Sequence, residues 1–512
     1  MNYTKTNWGT QLFINCRYSG LQYVTSNPYE GVLSCATFHI DHAWNRMIYE
    51  DYLHSWIRAY GTQGRDTGQF LWPKALDAQS FCDPWAYYTD YVIYIADTEN
   101  KRIAYLRYFF EDEDLVWDHS ITHMNLRGPS DLCVNNAGTF LSRWDDYLWV
   151  LDAPRIRLFD GYGATNLSGG YGTYGCSGGI GEICYPSAVV CGRSYIPEES
   201  WMDPNSDNRY IYVADPGNNR IVWLEQQPGS VYVEWRGAVS TTGGYIIDLE
   251  VDNFGQVWAA DRNNGRLVKY TYDLFPLCTY GSTGSGEHQF FCPLSVSNPG
   301  GYWGCGNLMV TESWSDTSGL QYFDIGTDVL DFSVTNSTND HYHYIQYILV
   351  DPSSVSVKIY VEPYHQLVKT IREGVEISGQ SLYVWNGSDE TGAVLPTGMY
   401  SVALYDTSLY WNLETEERTH TIQRYSDMFF HSFNPYSNYT AGDANADGDI
   451  NLADAVYLIN YIFSGGPEPQ PYMCVGDVNA DGDANIADCV YLINYAFKGG
   501  PPPKDGCESW PE

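Results

Sequence analysis

The chain has 512 residues and carries 63 Asp and Glu against 27 Lys and Arg, a formal net charge of −36 at pH 7. Its length is sufficient for about three domains. A polyanion would be repelled by this charge, so nucleic acid is not expected as a partner. No apolar run approaches the ~18 residues of a membrane helix, so we expect no membrane span.

Aromatic residues make up 16% of the chain, which favours β-structure because aromatic side chains pack well on pleated surfaces. None of the 13 Cys forms a C-x-x-C pair, which argues against zinc-ribbon and thioredoxin-like folds. Several Cys lie close together and fit either local disulfides of an oxidising compartment or buried thiols: Cys176/Cys184, Cys184/Cys191 and Cys292/Cys305.

Three segments in the first 325 residues share one pattern. Residues 91–108, 209–225 and 255–273 each contain an apolar strand, Ala-Asp, a polar turn and an Arg that begins a second apolar strand. This pattern predicts a β-hairpin. Weaker copies begin at residues 46, 147 and 307, and a second, Gly-rich element recurs from residues 59, 171 and 279.

The six copies resemble the blades of NHL-repeat proteins, and the resemblance implies a six-bladed β-propeller over residues 1–325. In that family the Asp after the strand fixes the turn. The corresponding acidic residues are Asp97, Asp152, Asp215, Asp261, Glu312 and, in the first copy, Glu50-Asp51. Because these residues recur in successive copies, we interpret them as structural and not as catalytic or metal-binding.

Some six-bladed propellers are lyases or lactonases with a metal ion at their centre. In the propeller region only His119 and His123 have ligand-like spacing, and the β-branched residues between them argue against a helix that would present both. No P-loop or H-E-x-x-H motif is present. We therefore predict no catalytic residue.

From about residue 339 the repeat stops and short apolar strands alternate with turns, at residues 355–361, 367–371, 381–385 and 399–405. This spacing predicts a small β-sandwich over residues 339–425. Its motifs resemble the FlgD-like immunoglobulin fold, with residues 367–371, Gly374, the Trp385-Asn386-Gly387 turn, Asp389, Gly392, Leu395-Pro396, Gly398 and Tyr400. The resemblance implies a spacer domain, with Trp385 in the core and positive φ angles at Gly387, Gly392 and Gly398.

A duplicated motif follows a linker over residues 426–441. GDANADGDINLADAVYLINYIFSGGP begins at Gly442, and GDVNADGDANIADCVYLINYAFKGGP begins at Gly476. Each copy starts with a twelve-residue loop like that of an EF-hand, which binds Ca²⁺ through oxygens at positions 1, 3, 5, 7, 9 and 12. The predicted ligands of two calcium ions are Asp443, Asn445, Asp447, Asp449, Asn451 and Asp454, and Asp477, Asn479, Asp481, Asp483, Asn485 and Asp488.

Gly448 and Gly482 occupy position 6, where the loop turns sharply, and Asp replaces the usual Glu at position 12. Apolar residues after each loop recur at helical spacing, but no helix is predicted before it. Loop then helix, twice, resembles a type I dockerin over residues 442–503, with a tail at 504–512. Dockerins bind cohesin modules, often through Ser-Thr at positions 10 and 11, which are Leu452-Ala453 and Ile486-Ala487 here.

Together these features predict a mainly β protein that is secreted or at the cell surface, non-catalytic and of bacterial or archaeal type. We expect a structural or recognition subunit of an extracellular assembly such as a fibre. This subunit would dock on a cohesin-like module or on copies of itself. Two alternatives remain: a propeller lyase or hydrolase acting on polysaccharide, and a carbohydrate-binding adhesin, each anchored by the dockerin.

Overall fold

The computed structural model is dominated by β-strands, with two α-helices near the C-terminus, as predicted. It describes residues 3–7, 13–27, 30–51, 57–82, 89–109, 114–135, 147–160, 166–192, 210–227, 231–252, 254–286, 288–297, 307–313, 318–324, 329–336, 342–408, 411–412, 417–418, 423–431 and 439–508. Among these residues, no helix is long and apolar enough to cross a membrane.

Six four-stranded antiparallel sheets follow one another along the first 324 residues, with strand β1 (Tyr3–Asn7) preceding them. Sheet one contains β2 (Phe13–Asn27), β3 (Glu30–Asp41), β4 (Arg46–Asp51) and β5 (Ile57–Tyr60), and is followed by the short pair β6 (Thr62–Gln63) and β7 (Gln69–Phe70). Sheet two contains β8 (Pro73–Cys82), β9 (Thr89–Asp97), β10 (Arg102–Phe109) and β11 (Asp114–Thr122). Sheet three contains β12 (Asp131–Asn135), β13 (Tyr147–Asp152), β14 (Arg155–Asp160) and β15 (Asn166–Tyr171), and is followed by the pair β16 (Thr173–Tyr174) and β17 (Glu182–Ile183).

The second half of this region repeats the arrangement. Sheet four contains β18 (Ala188–Gly192), β19 (Tyr210–Asp215), β20 (Arg220–Gln226) and β21 (Val233–Ser240), with a 3-10 turn at Pro216–Asn218. Sheet five contains β22 (Ile246–Val251), β23 (Val257–Asp261), β24 (Arg266–Tyr270) and β25 (Pro276–Tyr280), followed by the pair β26 (Ser282–Thr283) and β27 (Gln289–Phe290). Sheet six contains β28 (Pro293–Ser297), β29 (Asn307–Ser313) and β30 (Ser318–Asp324), and β1 pairs with β30 as its fourth strand.

The first strand in each sheet contacts the first strand of the next one. These contacts link β2, β8, β12, β18, β22 and β28 in order, and β28 returns to contact β2. Buried clusters of apolar side chains lie between neighbouring sheets, such as Leu76, Ile93 and Leu106 with Phe38. The first strands of the six sheets are therefore linked in a cycle of contacts.

A buried carboxylate closes the central hairpin of each sheet. In sheet two, Arg102 Nε lies 2.8 Å from Asp97 Oδ2, while Asp97 Oδ1 accepts the N–H of Leu71 from the preceding connection. The same ion pair, five residues apart, recurs as Asp41–Arg46, Asp152–Arg157, Asp215–Arg220 and Asp261–Arg266. In sheet six, Glu312 takes this place and Gln321 replaces the Arg.

The assignment of Glu50-Asp51 to this position in sheet one was wrong. Asp41 is the buried carboxylate there, and Glu50 and Asp51 lie in the following strand. The Gly-rich element has the predicted recurrence, because its three copies form the parallel pairs β6–β7, β16–β17 and β26–β27.

The cysteine pairing agrees in part with prediction. Cys176 and Cys184 form the predicted disulfide, whereas the Cys184/Cys191 alternative is wrong because Cys191 bonds Cys133 and links β12 to β18. The predicted Cys292/Cys305 disulfide is also wrong, because Cys292 forms no disulfide and its Sγ instead accepts a hydrogen bond from Arg262 Nε at 3.1 Å.

The middle domain consists of two sheets that share one apolar core. One contains β31 (Val329–Asn336), β32 (His343–Leu349) and β35 (Gly379–Trp385); the other contains β33 (Ser353–Val361), β34 (Gln366–Glu376), β36 (Gly398–Ser408) and β39 (Gln423–His431), with the short pair β37 (Trp411–Asn412) and β38 (Glu417–Arg418) outside both. The predicted boundaries at 339 and 425 differ from the structure, because β31 begins earlier and β39 includes the first part of the predicted linker.

Trp385 is buried in this core, as expected. Gly387 and Gly392 have φ angles of +77° and +86°, whereas Gly398 has no positive φ and simply begins β36. The prediction for Gly398 was therefore wrong.

A pair of substitutions tests the turn at Gly387. An alanine Cβ there would lie 2.3 Å from Cε1 of the buried His431, so we expect Gly387→Ala to lower the stability of the middle domain by roughly 2 kcal/mol. At Gly398 the nearest heavy atom would be Tyr400 Cε2, at 3.8 Å, and Gly398→Ala should cost much less. Calorimetry of the full chain checks both variants, and equal losses would contradict this account.

Buried polar contacts join the middle domain to sheet five. Lys269 of β24 pairs with Asp351, and neither side chain is exposed to solvent. The Lys269 ammonium also lies 4.7 Å from the centroid of the Trp258 ring. Gln256 Nε2 donates to the Val350 carbonyl at 2.7 Å. These contacts hold the two domains in one relative position.

Asp252, beside this pair, gives a pH-dependent prediction. Burial raises its pKa from 3.8 to about 6, opposed by the charge of Lys269 and reinforced by that of Asp351. Because the folded pKa is the higher one, the stabilising effect of protonation is complete below pH 3.8 and is lost as pH rises through 6.

Asp252→Asn should therefore remove a stability change of about 2 kcal/mol between pH 4 and pH 6. Unfolding free energies of both proteins at pH 4, 5 and 6 measure this difference. Asp66→Asn, on an exposed turn, is the matched control and should retain the wild-type pH dependence. A slope unchanged by Asp252→Asn would contradict the prediction.

Candidate metal centre

Each predicted calcium loop leads into a helix that its own residues cap. Helix α1 (Leu452–Ser464) begins after Asn451, whose side-chain oxygen accepts the Ala453 N–H at 2.7 Å. Asp454 completes a capping box by accepting the backbone N–H of Asn451, and Gly465 ends the helix with φ +64°. The second copy repeats every element with Asn485, Ala487, Asp488, helix α2 (Ile486–Lys498) and Gly499.

Carboxylates fold each loop around a common point. In the first loop, Asp443 accepts the N–H groups of Asp447 and Gly448 at 3.0 and 2.9 Å. Asp454 accepts the N–H of Asn445 at 3.2 Å, so position 12 also holds position 3. The second loop has the same bonds among Asp477, Asp481, Gly482, Asn479 and Asp488. Gly448 and Gly482 have φ angles of +93° and +95°, as position 6 requires.

Three predicted ligands of the second loop converge. Carboxylate oxygens of Asp477, Asp481 and Asp488 all lie within 4.8 Å of one another, and Asp477 and Asp488 are buried. In the first loop, Asp447 is the counterpart of Asp481, and its Oδ2 accepts a hydrogen bond from Asn445 Nδ2 at 2.8 Å. The atoms available as metal ligands are all oxygens, and this set fits Ca²⁺, a hard cation that prefers oxygen ligands.

Electrostatics at position 12 point the same way. Burial raises the pKa of Asp488, and the negative charges of Asp477 and Asp481 raise it further, against the backbone N–H groups that lower it. The pKa of Asp454 is raised in the same manner, with Asp443 and Asp447 as the repelling charges. Each loop thus gathers negative charges that a bound cation would offset.

The remaining predicted ligands have different positions. The side chains of Asp449 and Asp483 are exposed, which agrees with a contribution from their backbone carbonyls only. Asn451 and Asn485 use their side-chain oxygens as helix caps, a role that the sequence analysis did not assign to them. Asn485 Nδ2 also donates to the Asp483 carbonyl at 3.1 Å.

The two helices bury one face and expose another apolar one. Ala455 and Leu458 pack against Cys489 and Leu492 in a shared core. The exposed faces, which we call the apolar faces, are formed by Leu452, Val456 and Phe463 on α1 and by Ile486, Val490 and Phe497 on α2. Phe463 and Phe497 are 67% and 66% exposed, so the duplication extends to the surface.

Contacts between the ends of this module were not predicted. Cys474, in the 3-10 turn Met473–Gly476, forms a disulfide with Cys507 in the turn Gly506–Glu508. Tyr439 donates to Asp505, and the Lys504 N–H donates to the Val478 carbonyl at 2.9 Å. Part of the predicted tail therefore belongs to the module.

The candidate catalytic or metal-binding residues outside this module, His119, His123 and Ser177, lie away from the centre of the six sheets. His119 is on β11, the outermost strand of sheet two, and stacks on Tyr105 at 4.4 Å, while His123 lies in the turn after β11. Residues 175–179 match the G-x-S-x-G spacing, which the sequence analysis missed. Ser177 there lies in a surface turn, not between a strand and a helix, and donates to Glu182 at 2.6 Å.

Comparison with known families identifies the C-terminal module. Residues 441–497 match the family described as dockerin type I domain, so this segment is a dockerin type I domain. A comparison of the chain with curated protein sequences returns no significant match.

Several solved structures resemble part of this chain at low similarity. A luciferin-regenerating enzyme has 10% identity and a TM-score of 0.38, with coverage of 63% of this chain and 95% of its own. Virginiamycin B lyase from Staphylococcus aureus has 10% identity and a TM-score of 0.35, with coverage of 63% and 100%. Regucalcin from Agrobacterium tumefaciens has 12% identity and a TM-score of 0.35, with coverage of 59% and 89%. Likenesses at this level establish no activity for this chain.

Proposed function

We propose that the chain is a secreted, non-catalytic subunit that docks into an extracellular assembly through its calcium-loaded dockerin domain. The observation behind this proposal is the duplication of two features in one small module. Each half has a loop whose carboxylates gather negative charge, and each half exposes an apolar face on the helix that follows.

Calcium gives the loops their role. The convergent oxygens of Asp477, Asp481 and Asp488 would hold one ion, and the equivalent residues of the first loop would hold a second. A bound ion would offset the charge of these carboxylates, and one of them in each loop, Asp454 or Asp488, also belongs to the capping box of the following helix. Ion binding is thereby coupled to the position of both helices and of their apolar faces.

The apolar faces are the docking surface in this proposal. Contiguous exposed apolar surface commonly marks a site of protein–protein interaction. Leu452 and Ile486, at position 10 of the loops, replace the polar residues common in other dockerins, so we expect a partner with a largely apolar recess. A cohesin-like module is the first candidate, and another copy of this chain is the second.

The other domains form the body of the subunit. We infer that the six sheets are the blades of an NHL-like six-bladed propeller, supported by their cyclic contacts and by the recurring Asp–Arg pair. We infer a FlgD-like immunoglobulin fold for the middle domain from its Trp385-Asn386-Gly387 turn and two-sheet core. The disulfides Cys133–Cys191, Cys176–Cys184 and Cys474–Cys507 suit an extracellular location.

Sedimentation velocity tests the docking surface. The full chain is run in calcium and in excess chelator, alone and with a panel of purified type I cohesin modules. We expect a calcium-dependent complex that Phe463→Ala/Phe497→Ala weakens at least tenfold, because both apolar faces lose their most exposed side chain. Larger species of the chain alone would identify self-association as the docking mode.

The control is Met428→Ala, which removes an exposed apolar side chain from β39 of the middle domain and should leave the complex intact. A monomer under all conditions, with no cohesin bound, would contradict the proposal. Assembly that is unaffected by the double substitution would place the docking surface elsewhere.

A further inference from the structure

A cleft of about 550 Å³ lies between the six-sheet region and the middle domain. One wall is the turn at residues 271–275, between β24 and β25, and the other is formed by β34, β35 and their connection. Ligand sites of this size commonly occur at domain interfaces. None of the dockerin residues contributes to it.

The two walls are fixed relative to each other. The buried Lys269–Asp351 pair and the Gln256–Val350 hydrogen bond join the domains beside the cleft. Lys269 lies two residues before Thr271, which lines the first wall. The cleft is therefore preformed. Because its walls need not be ordered when a ligand binds, the entropic cost of binding is lower.

The polar groups of the second wall are held in place by one buried carboxylate. Glu376 accepts hydrogen bonds from Tyr347 at 2.7 Å, from Ser381 and Arg372 at 3.1 Å, and from Tyr383. Arg372, Ser381 and Tyr383 line the cleft, so their orientation is set by Glu376. The carboxylate also offsets the charge of Arg372, which leaves this wall polar but nearly neutral.

Apolar surface faces the same space. Phe275, Val375 and Ile377 are 37%, 39% and 42% exposed, and all three line the cleft. The neighbouring Tyr272 is stacked on Tyr210, with ring centroids 5.8 Å apart and planes 16° apart. The cleft therefore offers aromatic and aliphatic surface close to hydroxyl, amide, carboxylate and guanidinium groups.

We propose that this cleft binds an uncharged oligosaccharide. A pyranose ring has an apolar C–H face, which suits Phe275 and Ile377, and a rim of hydroxyls that both donate and accept hydrogen bonds. Asp273 can accept hydrogen bonds from such hydroxyls, Arg372 can donate to them, and the Gln380 amide can do both. The net charge of −36 and the neutralised Arg372 disfavour acidic polysaccharides. This activity extends beyond docking and does not depend on it.

Isothermal titration of the full chain in calcium tests the assignment, with cellotriose, xylotriose, mannotriose and chitotriose as neutral probes and trigalacturonate as an acidic one. We expect at least one neutral trisaccharide to bind and trigalacturonate not to bind. Phe275→Ala and Gln380→Ala should each weaken binding at least tenfold. Phe275 holds its turn through backbone bonds to Thr271, so removal of its ring leaves the turn intact.

Phe291→Ala is the matched control, because Phe291 is an exposed aromatic residue of the six-sheet region outside the cleft. It should leave the affinity unchanged. Absence of binding by all four neutral probes would overturn the assignment, and so would binding that is insensitive to Phe275→Ala and Gln380→Ala. Loss of cohesin binding would leave these titrations unaffected, so the two proposals fail separately.

Discussion

Chelation of calcium is expected to unfold the dockerin domain and leave the β-rich remainder of the chain folded. Without the ion, Asp477, Asp481 and Asp488 repel one another within 4.8 Å, and the capping bonds that begin α2 depend on the same Asp488. An ion present at a hundred times its dissociation constant stabilises the folded state by about 2.7 kcal/mol per site. Two such loops contribute about 5 kcal/mol, a large share of the stability of so small a module.

Circular dichroism at 222 nm and calorimetry follow this loss, since α1 and α2 are the α-helices of the described chain. Asp488→Ala should abolish binding in the second loop because it removes a buried ligand and a helix cap together. Asp483→Ala is the control, because its exposed side chain is not needed and its backbone carbonyl remains. Full helicity in excess chelator would contradict the coupling of calcium to folding.

The calcium loops could be predicted from sequence because their ligands are local. Twelve consecutive residues supply every oxygen, and the spacing of Asp443, Gly448 and Asp454 fixes the loop without help from distant residues. The helix-capping role of Asn451 and Asn485 could also have been predicted from sequence, since Asn before a helix with Asp three residues later is a capping pattern. The Cys474–Cys507 disulfide could not have been predicted, because 13 Cys allow many pairings.

The error in sheet one had a local cause. The apolar strand of the first copy ends in Glu50-Asp51, which resemble the turn residues of the other copies. In five sheets the buried Asp precedes its Arg by five residues, because that interval spans the hairpin turn. Asp41 and Arg46 have the same Asp-x4-Arg spacing, so this spacing predicts the buried pair better than the position of the apolar strand does.

The domain junction could not be predicted, because its partners are far apart in sequence. Lys269 occupies a strand position inside a repeat, and Asp351 follows β32, 82 residues later. The sequence pattern gives no reason for either residue to be buried. The contact exists only once both domains have folded and met.

Lys269→Met should be among the most destabilising substitutions in the chain. It leaves Asp351 buried without its cation and next to Asp252, and breaking a buried ion pair on one side costs roughly 3–5 kcal/mol. Chemical denaturation of the full chain should show this loss in the transition of the six-sheet region and middle domain. The double variant Lys269→Met/Asp351→Leu should recover most of it, because removing both charges also removes the cost of burying them.

Arg236→Met is the matched control for this substitution. Arg236 pairs with Glu225 at 2.5 Å, but its side chain is 40% exposed, so water replaces the lost partner and the loss of stability should be small beside that of Lys269→Met. Equal losses for Lys269→Met and Arg236→Met would mean that the junction is open to water. The cleft beside it would then not be preformed, and a saccharide that bound there would have to order both walls.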